Sequence, residues 1–181
     1  MEITKTLNLN LHALKDANEL IRIYAYTAVC FFVPFLLGHP QELVGVIVNA
    51  MLITTALQSS SLKRALPVIF APSIAVLSRG LIFGPLTVYL IYMIPFIWVG
   101  NLLLVALVRR LRTKNYWPSL LASAAVKSGF LFLSAFSLVS LALIPPIFLV
   151  SMGAIQIYTA VAGGMVAWGG LKLGILKRLG I

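Results

Sequence analysis

Residues 118–143 read PSLLASAAVKSGFLFLSAFSLVSLAL, a run of apolar and small side chains broken by a single charge, Lys127. A helix needs about 20 mostly apolar residues to cross a bilayer, so this stretch is long enough to span, with Lys127 well inside it. Working outward, similar runs lie at approximately Ala17–Leu37, Glu42–Leu57, Leu66–Phe83, Leu86–Leu107 and Ile147–Leu171. The expected fold class is an all-α integral membrane protein of six transmembrane helices forming one domain over residues 1–181. Composition agrees: 61% of residues are hydrophobic, 10% are charged and the mean hydropathy is +1.03. Such proportions suit lipid as the solvent for most of the surface.

The formal net charge of +10 would suggest a nucleic-acid partner in a soluble protein. Here the cations gather between the apolar runs, as membrane topology and anionic lipid headgroups require, so no nucleic acid is expected. Lys5, Lys15 and Arg22 lie at or before the start of the first run, and Lys63 and Arg64 between the second and third. Arg109, Arg110, Arg112 and Lys114 follow the fourth, and Lys172, Lys177 and Arg178 the sixth. The intervening loops, Gly38–Gln41, Gly84–Pro85 and Ile144–Pro146, hold no Lys or Arg. The positive-inside rule then places both termini in the cytoplasm. No cleavable signal peptide is expected, because the first run lacks a small-x-small cleavage site.

Asp16 followed by Glu19 has the spacing that satisfies orphan backbone donors at a helix start, so the first helix is expected to begin there. Leu7, Leu11 and Leu14 before it share a helical face, which fits either a short interfacial helix on the inner leaflet or a disordered tail. Pro34, Pro72 and Pro95 fall inside spans and free backbone carbonyls that neighbouring helices or a cavity must satisfy.

Helical spacing gathers the interior polar residues onto faces. Glu42, Gly45 and Asn49 share one stripe, and Pro72, Ala75 and Arg79 another. Trp98 and Asn101 fall together, beside an aromatic stripe of Tyr89, Tyr92 and Phe96. Ser119, Ser123, Lys127, Ser134 and Ser137 occupy one broad face, and Met152, Gln156, Thr159 and Gly163 another. At about 1.5 Å per residue, Asn49 lies roughly 10 Å below the outer edge and Lys127 about 14 Å from the inner one. Glu42, Asn49, Arg79 and Gln156 then share the outer half, with Lys127 as a floor.

Cations at membrane depth are costly and normally mark a ligand path, a relay or an ion pair. Only Glu42 is placed to answer Arg79 or Lys127, so buried positive charge exceeds buried negative charge. Arg79 has two readings, a snorkelling or Glu42-paired cation and a ligand contact. Lys127 likewise could be capped by backbone carbonyls or neutralised by burial, or else hold an anion. Asn49, Asn101 and Gln156 fit either interhelical packing bonds or ligand contacts, with packing the favoured reading for Asn101. Small residues four apart in the sixth helix and just beyond it, Ala160 with Gly164, Gly163 with Ala167 and Gly170 with Gly174, allow close helix approach, to another helix of this chain or to another subunit.

Enzymatic chemistry is not expected. The chain has no phosphate-binding glycine-lysine loop, no carboxylate cluster for a metal and no histidine within the spans. Cys30 alone supports neither a disulfide framework nor a thiolate metal cluster, so no cofactor is implied.

Several short segments together resemble a family. They are Val48-Asn49-Ala50, Arg79-Gly80-Leu81, Met93-Ile94-Pro95-Phe96-Ile97 with Gly100-Asn101, Val126-Lys127, and Gln156 with Thr159-Ala160 and Gly163-Gly164. In their order and spacing, and with six short helices, the chain resembles the substrate-binding S components of energy-coupling factor (ECF) transporters and small prokaryotic membrane proteins related to them. The resemblance implies capture of a vitamin-like or other small solute from outside the cytoplasmic membrane. It also implies partners, a transmembrane scaffold subunit and two cytoplasmic ATPases. Many S components dock through alanines four apart on the first helix, whereas Ala25 and Ala28 are three apart here.

The expected function is thus uptake of a small organic anion. Arg79 and Lys127 would supply charge, Asn49 and Gln156 hydrogen bonds, and Tyr89, Tyr92 and Phe96 the apolar wall, with Glu42 at the rim. The alternative is a non-transporting membrane anchor or assembly subunit whose buried polar residues only specify packing.

Overall fold

The computed structural model describes residues 2–37, 40–79, 86–112 and 115–174, with the side chains of residues 2–12 and 79 excepted. All secondary structure among them is helical: α1 (Glu2–Leu36), α2 (Gln41–Gln58), α3 (Leu62–Arg79), α4 (Thr87–Leu111), α5 (Tyr116–Ser140), α6 (Ile147–Met152) and α7 (Ala154–Lys172). Five segments are long and apolar enough to cross a membrane: Ala13–Leu36 of α1, α2, α4, α5, and α6 with α7 as Ile147–Lys172. The chain is therefore a helical, multi-pass membrane protein. α3 is the exception to the expected six, because its 18 residues carry Lys63 and Arg64 at one end and Arg79 at the other.

Three expectations about helix ends are corrected. α1 is continuous from Glu2, so Asp16 starts no helix. Neither glycine nor proline interrupts the chain before Pro34, so nothing stops the helix from extending through Asp16, and both carboxylates are recruited elsewhere. α5 ends at Ser140, short of the expected Leu143. The sixth run is split at Gly153, whose φ and ψ of −99° and −93° leave the helical region. A β-carbon there would stand 2.9 Å from the Leu149 carbonyl oxygen and 3.0 Å from the Phe132 ring, so only glycine fits this bend.

α2 is central. It packs most extensively along α7, and also against α1, α3 and α4, while α5 bridges α4 to α6 and α7. The close α2–α7 approach depends on Gly163, where a β-carbon would come within 2.7 Å of the Val46 carbonyl oxygen and 2.8 Å of the Ala50 nitrogen. The neighbouring Gly164 faces Leu120 of α5 and accepts a 2.7 Å hydrogen bond on its carbonyl from the Tyr116 hydroxyl. Ala160, Gly163, Gly164 and Ala167 of the small-residue face thus pack within this chain.

Two apolar clusters fill the interior. One joins Leu52 and Ile53 of α2 to Val68 and Ile69 of α3, Leu104 and Val105 of α4, and Leu120 of α5. The other joins Leu90 and Met93 of α4 to Leu131 and Ala135 of α5 and Phe148 and Met152 of α6. Lys127 sits on α5 between Leu120 and Leu131, at the seam between them. Outward-facing side chains such as Ile21, Phe32, Ile91, Leu133, Phe136 and Val166 are apolar and exposed, the inverse of a soluble protein and what lipid contact requires.

A polar latch holds the end of the bundle where α2 turns into α3. The Glu19 carboxylate accepts from the Ser60 amide at 2.7 Å and the Ser60 hydroxyl at 2.9 Å, and from the Ser59 hydroxyl at 3.2 Å. Arg64 donates to Glu19 at 2.8 Å and to Asp16 at 3.2 Å. The Arg109 guanidinium donates to the Ser59 and Ser60 carbonyls, tying α4 to the same turn.

Candidate functional site

Lys127 is 3% exposed, and its ammonium donates to the Asn49 side-chain oxygen at 2.6 Å. No Asp or Glu pairs with it among the described residues. The contact settles the Asn49 amide, because its nitrogen side would place donor against donor. With the oxygen committed to Lys127, the Asn49 nitrogen donates to the Thr159 hydroxyl at 3.1 Å. Thr159 in turn donates to the Gln156 carbonyl at 3.3 Å. Donation therefore runs one way across three helices, from α5 through α2 to the first turns of α7. One ammonium hydrogen is used by Asn49, leaving two of its three.

Beside this chain lies a cavity of about 120 Å³. Gln41, Asn49, Asn101, Lys127, Gln156 and Thr159 contribute its polar lining. Val44, Val48, Val76, Ile97 and Ile155 supply apolar wall, together with Pro34 and Pro72. Every helix except α6 reaches it. The two prolines are placed as their chemistry demands, since a residue whose backbone ladder is broken is best set against a cavity or another helix. The bend at Gly153 turns the first residues of α7 to the cavity, and the Ser128 hydroxyl holds the bend by donating to the Gly153 carbonyl at 2.6 Å.

The residues singled out from sequence distribute unevenly. Asn49, Lys127 and Gln156 line the cavity together. Asn101 lines it as well, while its amide nitrogen donates to the Ile69 carbonyl of α3 at 3.3 Å, the interhelical bond expected of it. Glu42 is exposed and its neighbour Gln41 lines the cavity instead. Arg79 ends α3, three residues beyond the lining Val76; its side chain, and with it the Glu42–Arg79 pair, lies outside the described residues. Tyr92 is 48% exposed, and Tyr89 is exposed too. Phe96 packs in the second apolar cluster with its ring 6.4 Å from that of Phe130. None of these three aromatics lines the cavity, because their stripe faces lipid and the α4–α5 seam, whereas Ile97 and Asn101 face inward.

Thr159 and Gly153 carry parts of the site that sequence reasoning did not assign. Thr159 shares the helical face of Gln156, which is the signal that pointed to it. Gly153 gave none, lying in an apolar run without proline. The serines of α5 are mostly spent locally: Ser119, Ser123, Ser134 and Ser137 each donate to the carbonyl four residues earlier.

The geometry thus defines a helical membrane protein with a cavity lined in part by a buried lysine that pairs with no acid among the described residues. Comparison of the chain with protein-family profiles, with curated proteins and with solved structures finds no match.

Proposed function

We propose that this chain is the solute-binding subunit of an uptake system, taking a small organic anion into the cavity between α2, α3, α4, α5 and α7. The observation that carries the reading is Lys127, a fully buried lysine whose described partner is a neutral amide and which borders open volume. A buried cation is normally paired or engaged with a ligand. All the carboxylates with described side chains are placed elsewhere, Asp16 and Glu19 on Arg64 and Glu42 at the exposed start of α2. An anionic guest completes the pairing. Gln156 and Gln41 offer it amide donors, and Arg79, at the end of α3, supplies positive charge that draws the anion in.

In this reading α3 is the sixth crossing. It packs against α1, α2 and α4 as a member of the bundle, and its cations stand at its ends, where headgroups and water can meet them. The alternating positive loops support both termini in the cytoplasm, and the resemblance adds a prokaryotic cell. In that orientation the starts of α2 and α7, which border the cavity, face outward, and this supports capture from outside. The ECF S-component resemblance supplies the partners of the proposal, a transmembrane scaffold and two ATPases. The anchor alternative drew on the small-residue face of α7, whose Gly163 and Gly164 are occupied by α2 and α5 of the same chain, while Gly174 beyond them stays open.

The test is mass spectrometry of small molecules released from the purified protein, together with affinity capture of ATP-binding subunits from the native membrane. An organic anion that co-purifies with wild type and is lost from Lys127→Met is the expected result. Retention of the same molecule by Lys127→Met and Arg79→Ala would remove both residues from the role given them.

A further inference from the structure

The size and lining of the cavity narrow the class of guest beyond what the charge alone requires. Sites that enclose drug-sized or vitamin-sized molecules usually measure about 300–1,000 Å³. Here the volume is about 120 Å³. A protein cavity of about 150 Å³ is known to accommodate benzene, with its six heavy atoms. On that scale this cavity takes a guest of about five non-hydrogen atoms.

Its lining is of two kinds. Lys127 is the one cation among the described lining residues, beside the amides of Gln41, Asn49, Asn101 and Gln156, while Val44, Val76 and Ile155 present hydrocarbon. An inorganic oxyanion would set some of its oxygens against that hydrocarbon, where acceptors without donors are costly. A dicarboxylate would bring a second charge to a lining whose described residues hold Lys127 as their one cation. A short hydrocarbon end suits the walls.

Resting on the solute-binding reading, we infer that the guest is a short-chain monocarboxylate of three or four carbons. Its carboxylate is seated inward on the two free ammonium hydrogens of Lys127, and its alkyl end points toward Val44, Val76 and Ile155. Asn49 and Thr159 act as positioning residues. The Asn49 oxygen holds the ammonium in place, and the Thr159 hydroxyl holds the Asn49 amide in the orientation that presents that oxygen.

The experiment is calorimetric titration of the full chain in nanodiscs of zwitterionic lipid with acetate, propionate, butyrate, hexanoate, octanoate, succinate and inorganic phosphate. Affinity is expected to peak at propionate or butyrate and to fall at least tenfold by octanoate. Succinate and phosphate should bind at least tenfold more weakly than butyrate, and Lys127→Met should lose at least tenfold for butyrate. Val76→Ala, which lengthens the apolar wall space without touching Lys127, should move the optimum one or two carbons longer. That shift keeps the assignment testable even if Lys127→Met does not fold.

Preference for phosphate or succinate would overturn the amphipathic monoanion. Affinity rising steadily to octanoate, unchanged in Lys127→Met and Val76→Ala, would mean partition into lipid and would also overturn it. Failure of the short acids while a larger anion co-purifies in a Lys127-dependent way would overturn the size class and leave the solute-binding reading standing. If no anion, short or co-purified, depends on Lys127, both fall.

Discussion

At the scale of single residues, the decisive pair is Lys127 and Asn49. A buried ammonium with one strong neutral acceptor depends on that acceptor, because removing it leaves a charge without solvent or partner. Asn49→Ala is expected to cost about 2–4 kcal/mol, read from unfolding in detergent. Lys127→Met in the same background should restore much of this loss, since the methionine keeps the volume and needs no acceptor. A double-mutant cycle is then expected to return a coupling of about 1–3 kcal/mol; additive single effects would contradict the contact. Both residues were legible as polar positions in apolar runs. Their partnership was not, because a helical period states which residues share a face and not which face of another helix it meets. The same limit explains Tyr92 and Phe96, correctly grouped on a stripe that turns out to face away from the cavity.

Elements show where backbone geometry overrides propensity. Gly163 stands against the backbone of α2, which cannot move aside as a side chain can. Gly163→Ala should therefore cost about 1–3 kcal/mol and weaken solute binding as well, because the β-carbon would meet Asn49 at 2.9 Å. Gly129, exposed on α5 with nothing near its missing β-carbon, is the contrast; Gly129→Ala should be neutral or stabilise by up to about 1 kcal/mol. The end of α5 has its own signature. Leu143 donates to the Leu138 carbonyl and Ala142 to that of Val139, both at 2.9 Å, with Ala142 at a φ of 54°. These are the bonds of a Schellman cap, in which the left-handed position usually belongs to glycine. Ala142→Gly should relieve that strain and stabilise by up to about 1 kcal/mol, seen as a higher unfolding midpoint. An apolar run tells nothing of such a stop when no glycine marks it, which is why this helix ends before the hydrophobic stretch does.

Across the whole molecule, binding volume and polar latch occupy separate regions. Glu19 collects four donors at one end of the bundle, whereas the cavity opens toward the starts of α2 and α7. Glu19→Gln should lower stability by about 1–3 kcal/mol while leaving anion affinity within about twofold of wild type. Asp16→Asn, whose carboxylate is largely exposed, should cost under about 1 kcal/mol. Thermal unfolding and titration of the same samples separate the two. Composition and run length determined by themselves that this is a helical membrane protein and that Arg79 and Lys127 had one candidate acid, Glu42, between them, because lipid imposes those demands on every residue of a span. The tertiary structure decided that Lys127 meets Asn49, that Gly163 closes α7 onto α2 and that the aromatic stripe faces outward. Those outcomes depend on the rotation of each helix about its axis, which is set by side-chain packing between segments distant in sequence.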